Sequence, residues 1–95
     1  MYNRYYELKN LYKDYLIIIK NKNKYKLYDK DREIYTFLNV KNHKYLKKYK
    51  INFIFLDNLD IIELHKYEDN KYLEYYAKCS LINTFKDIKK GFAYE

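Results

Sequence analysis

A chain of 95 residues leaves no room for a second core, so a single domain over residues 1–95 is expected, with fifteen Tyr and five Phe supplying the bulk of its apolar filling. One Gly excludes the glycine-rich loops that cradle phosphates, one Cys excludes an internal disulfide, and no apolar run is long enough to span a membrane or to serve as a secretion signal; a cytoplasmic protein is expected. The formal net charge of +7 is unevenly spread, because residues 1–50 carry fourteen Lys/Arg against five Asp/Glu, a net of +9, and residues 51–95 carry six against eight, a net of −2.

In chain order, Tyr5, Leu8, Leu11, Tyr12 and Tyr15 recur at helical spacing and predict an amphipathic helix over 2–14. The continuous run YLIIIK, 15–20, predicts a central strand buried on both faces. NKNK, 21–24, predicts a tight turn, because Asn tolerates left-handed backbone, and YKLY, 25–28, the returning antiparallel strand.

DKDREIYTFLN opens with Asp residues suited to capping a second helix and places Ile34, Phe37 and Leu38 on one face. Asn42 is read as the cap of a third, short helix reaching Tyr49, with Tyr45, Leu46 and Tyr49 inward and Lys44, Lys47, Lys48 and Lys50 outward. INFIFL, 51–56, predicts a second buried strand, DNLD a turn, and IIELHKYE, 61–68, an outer strand near an edge. From Asn70 on, Leu73, Tyr76, Ala77, Ser80, Leu81, Thr84, Phe85 and Ile88 form a helical stripe that Lys89, Lys90 and Gly91 close. The expected fold is therefore α/β of the α+β type: a mixed sheet with a β-hairpin, flanked by about four helices.

The run DYLIIIKNKNKYKLYDKD, followed by a helix and then by KYKINFIFLD, resembles the N-terminal mismatch-recognition domain of the MutS DNA-repair family over residues 4–67. The resemblance implies a mixed sheet flanked by helices. Where that family's hairpin has Gly-Asp-Phe-Tyr-Glu, with Phe stacking on a mismatched base and Glu bonding it, this chain has Lys22, Asn23, Lys24, Tyr25 and Lys26. Lysine at both reading positions removes the mismatch readout, and the ATPase and clamp of the family are absent from these residues.

The chemistry-bearing inventory is short: His43, His65, Cys79, Ser80 and two Thr, with no adjacent nucleophile and base, so no enzyme is expected and no cofactor. Asp57, Asp60, Glu63, His65 and Glu68 are the nearest to a metal-ligand string. Their spacing matches no known loop, and Glu63, His65 and Tyr67 are read as a solvated strand face. Cys79 is read as a small boundary residue.

Two dense positive strips remain: Lys20, Lys22, Lys24 and Lys26 around Tyr25 on the hairpin, and Lys41, Lys44, Lys47, Lys48 and Lys50 on and beside the third helix. Lysines grip phosphate without reading sequence, and an exposed Tyr25 could stack on an unpaired base; this predicts a small non-enzymatic nucleic-acid-binding module. The abundance of Lys, Asn, Ile and Tyr also fits a low-GC genome, in which codon usage alone fills a solvated face with lysine. The alternative expectation, from the format of a small basic protein, is a phage or mobile-element inhibitor of a host defence complex that targets nucleic acid, in the manner of anti-CRISPR proteins. Such a factor would bind a nucleic-acid-binding protein complex through its tyrosines. An outer strand at 61–68 would also permit a homodimer, and no membrane partner is expected.

Overall fold

The computed structural model describes residues 2–81, which form an α+β fold of four helices and a four-stranded mixed sheet. In chain order these are α1 (Tyr2–Leu11), β1 (Leu16–Asn21), β2 (Lys24–Lys26), α2 (Asp29–Phe37), a 3-10 helix (His43–Tyr49), β3 (Phe53–Asp57), β4 (Asp60–His65) and a last helix, α3, over 72–81. The sheet order is β2-β1-β3-β4, with β1 parallel to β3 and both outer strands antiparallel. The closing signal expected at Lys89, Lys90 and Gly91, and the stripe beyond Leu81, lie outside the described residues.

The two central strands are the two continuous apolar runs of the sequence. Leu16, Ile18, Phe53 and Phe55 face one side and pack with Ile34, Leu46, Tyr72 and Cys79 from α2, the 3-10 helix and α3, and with Val40 and Ile51 from the connections. Ile17, Ile19, Ile54 and Leu56 face the other and pack under Tyr5, Leu8 and Tyr15 of α1 and its exit. The apolar residues of both central strands, Leu16–Ile19 and Phe53–Leu56, are thus buried whichever way they point, which is why no alternation marks β1 or β3. The hairpin turn has two residues, Lys22 and Asn23, at φ 51° and 65°. Positive φ at both positions matches the strand twist, so the turn is tighter than the expected four residues and β2 begins at Lys24 instead of Tyr25.

Several expectations are corrected. α1 stops at Leu11, which is exposed, because the chain must reverse through 12–15 to enter β1. Phe37 lies outward, leaving Ile34 as the buried anchor of α2. The last helix is rotated by about one residue: Tyr72, Tyr75 and Cys79 face the core, while Leu73, Tyr76 and Leu81 are exposed. Cys79 is accordingly a buried core residue, its thiol pKa raised by burial.

The largest departure is Asp31. Asp29 and Asp31 were expected to cap α2, yet the cap position is Tyr28, with no side-chain capping bond, and Asp31 is fully buried. Its Oδ1 accepts from Lys9 Nζ at 2.8 Å and from the Tyr72 hydroxyl at 2.6 Å; its Oδ2 accepts from Lys9 Nζ at 3.0 Å, the Tyr5 hydroxyl at 3.0 Å and the Ile17 backbone N–H at 3.1 Å. β2 pairs with β1 only from Ile19 onward, so Asp31 takes the N–H of Ile17 that the short strand leaves over. Lys9 also donates to the Tyr15 carbonyl at 2.7 Å and lies 4.5 Å from the centre of the Tyr72 ring. One carboxylate therefore ties α1, β1, α2 and α3 together.

Burial raises the Tyr5 and Tyr72 phenols far above their ordinary value, reinforced by the neighbouring Asp31 charge, so both remain donors. Burial also lowers Lys9, outweighing its attraction to Asp31. Asp31→Ala leaves that lysine without its counter-charge and is expected to destabilise the fold by about 3–5 kcal/mol, and Tyr72→Phe by about 1.5–3 kcal/mol, in urea unfolding. The apolar pair Lys9→Met with Asp31→Leu should stay well below wild type, because the Ile17 N–H and the Tyr72 hydroxyl lose their acceptor. Recovery to wild-type stability would contradict this role.

Candidate nucleic-acid interface

The two lysine strips sit on neighbouring elements, and a buried polar chain joins them. Tyr25, midway along β2, directs its hydroxyl to His43 Nδ1, 3.1 Å away, at the first residue of the 3-10 helix. His43 is 6% exposed and lies flat on Phe55, ring centroids 3.7 Å apart. Its Nε2 is 2.7 Å from Glu63 Oε2 on β4, and Glu63 Oε1 is 2.9 Å from His65 Nε2, whose ring stacks on Phe53. Hydrogen bonds from His65 and then His43 hold the Glu63 carboxyl below its ordinary range, so it is ionised and draws the Nε2 proton of each ring. With the Nε2 proton of His43 directed at Glu63, Nδ1 is the ring nitrogen that faces the Tyr25 hydroxyl.

This chain corrects two expectations. Glu63 and His65 are half-buried and bonded, not a solvated strand face, and Tyr25 is half-buried, its ring edge-on to Phe55, His43 and Tyr35. Tyr25 is therefore a clamp between hairpin and helix and is not free to stack on a base. Hydroxyl, imidazole and carboxylate stand here in the order that polarises a nucleophile in hydrolases. Tyr25 is half-buried among Tyr35, His43 and Phe55, and the three bonds link β2, the 3-10 helix and β4. Among the described residues no group of three or more His, Cys, Asp or Glu side chains is placed to hold a metal ion, and Asp57, Asp60 and Glu68 do not join Glu63 and His65.

The 3-10 geometry sets how the helix displays its charges. Three residues per turn align positions i and i+3. His43, Leu46 and Tyr49 thus form the inward column, Lys44 and Lys47 a second, and Tyr45 and Lys48 a third. Tyr45, expected inward from an α-helical period, is 61% exposed for this reason. Asn42 caps the helix as expected, its side chain accepting from the Lys44 N–H at 3.0 Å.

Lys22, Lys24, Lys26, Lys41, Lys44, Lys47, Lys48 and Lys50 are exposed, and Lys20 is half-buried. On the hairpin Lys20 lies opposite Tyr25 and shares its face, whereas Lys24 and Lys26 point to the α1 side of this edge strand and Lys22 occupies the turn. Ion pairs among the described residues engage Arg4, Lys9, Lys30, Lys71 and Lys78, and none takes a lysine from either strip. Lys50 is the least free, since its charge acts on Asp69.

The clamp is testable through its acid. The Glu63 carboxyl is held below its ordinary 4.5 in the folded state, so its contribution is complete above that value and is lost as pH falls through the lower folded value. Urea midpoints measured across that window should decline less steeply for Glu63→Gln than for wild type, and identical acid limbs would contradict the clamp.

No protein-family model, curated protein or solved structure matches the chain.

Proposed function

We propose that this chain is a nucleic-acid-binding module that grips the phosphate backbone around the β2 edge of the sheet, with the hairpin lysines and the 3-10 helix lysines flanking that edge. The observation that carries this reading is the set of exposed lysines that enter no ion pair, on two elements that the Tyr25–His43 bond fastens to each other. Elsewhere on the described surface Arg4, Lys30, Lys71 and Lys78 are paired with neighbouring carboxylates, while Lys13, Arg32 and Lys66 stand outside any ion pair but are scattered singly and not in strips. An unpaired basic strip is the footprint expected for a polyanion, where lysines displace condensed counterions and bind with little regard to sequence. Two Arg in the whole chain, Arg4 and Arg32, agree with backbone contact over bidentate base reading. The likeness to the MutS mismatch-recognition domain adds support through element order: helix, hairpin, helix, short helix and strand. With the reading Phe and Glu replaced by Lys24 and Lys26, such a relative keeps the backbone grip and loses the mismatch.

Fluorescence anisotropy of labelled oligonucleotides at about 50 and 200 mM salt tests this directly. Wild-type affinity should fall steeply between the two. Reversing Lys22, Lys24 and Lys26 together to Glu should weaken binding at least about tenfold at the lower salt and reduce the magnitude of the log–log salt slope for a single strand by about 2. Reversal of Lys44 and Lys47 should act in the same direction. No binding at low salt, or binding indifferent to these reversals, would overturn the reading.

A further inference from the structure

Beside the 3-10 helix lies an open cleft of about 250 Å³ lined by Asn39, Val40, Lys41, Tyr45, Lys48 and Tyr49. We infer that this cleft takes one unpaired base of a single-stranded nucleic acid, with Tyr45 as the stacking platform and Lys41 and Lys48 holding the adjoining phosphates. The inference rests on the proposed function and narrows it to single strands.

Four features of the cleft point to that ligand. Tyr45 presents an aromatic ring to solvent, 61% exposed, on a helix whose other aromatic, Tyr49, is packed inward. An exposed ring beside a cleft offers a flat apolar face on which any base can stack. The 3-10 period aligns Lys48 with Tyr45 on one side of the helix, and Lys48 Nζ is held 5.2 Å from the Tyr49 ring centre, which keeps its charge at the cleft. No carboxylate lines the cleft, so an anion entering it meets two ammonium groups and no opposing charge. Its volume falls just under the roughly 300–1,000 Å³ typical of pockets for drug-sized ligands, which suits a single planar ring system.

A duplex keeps its bases stacked inside and offers none to Tyr45. The strips alone would grip duplex and single strand alike; the cleft adds affinity only for unpaired nucleotides. Anisotropy titrations of oligo-dT, oligo-U and a duplex of equal length, at one salt concentration, separate the terms. Tyr45→Ala should weaken binding of the single strands by about 5- to 100-fold, the range that stacking of one base supplies, and leave the duplex unchanged. Tyr45→Phe, which keeps the ring, should restore single-strand affinity. The oligo-dT and oligo-U arms report whether DNA or RNA is preferred. Equal effects of Tyr45→Ala on single strand and duplex, or no effect on either, would overturn the cleft while leaving the phosphate grip standing. Failure of wild type to bind any of the three would overturn both.

Discussion

The structure depends on a single carboxylate held in an apolar interior. Asp31, on α2, has no exposed surface and receives bonds from two tyrosines, a lysine and a strand N–H that come from three other elements. A buried ion is tolerated only where its bonding capacity is filled, and its loss strands every donor aimed at it. The Lys9–Asp31 ion pair by itself contributes little net energy over an apolar pair, whereas the bonds to the Ile17 N–H and the Tyr72 hydroxyl keep those groups from being buried unpaired. What the arrangement enforces is a unique placement, because any other packing of α1 against α2 and α3 would leave a charge or a phenol unpaired. In a small core rich in tyrosine this solves a specific difficulty: the rings fill space, and the hydroxyls need acceptors away from water.

The same logic recurs over the Phe53 and Phe55 face of the sheet. Tyr25, His43, Glu63 and His65 form a second polar chain under aromatic cover, and it fixes the edge hairpin to the 3-10 helix and to β4. Edge strands as short as β2 are weakly held by their ladder alone. The clamp gives the lysine-bearing hairpin a defined position relative to the lysine-bearing helix. Packing, electrostatics and the proposed phosphate grip therefore meet at one hydrogen bond, between Tyr25 and His43.

The sequence shows the sheet more plainly than the surface. The runs at β1 and β3 are apolar throughout, so their burial follows from composition, and Asn23 beside Lys22 signals the hairpin turn. Asn42 is legible as a cap because its side chain does what Asn does at helix starts. Tyr45 is misplaced by an α-helical period, since nothing in the sequence announces that seven residues will wind at three per turn. The face of α3 is misread for a related reason: Leu73 and Leu81 outrank tyrosine on hydropathy, yet Tyr72 wins the interior through its bond to Asp31. Asp31 and His43 themselves are invisible as hubs, because their partners lie 14 to 41 positions away in the chain. The nine lysines were legible as two strips; their union through Tyr25 was not.

The central claim is that the bound polyanion lies along the β2 edge, against the hairpin and the 3-10 helix. Backbone amide chemical shifts of the labelled protein, followed during titration with a short oligo-dT at low salt, test it most directly. The account predicts shifts concentrated at residues 20–26 and 41–50, with α1 and α3 silent. Shifts confined to α1, to α3 or to the β4 edge, or none at saturating oligonucleotide, would contradict it.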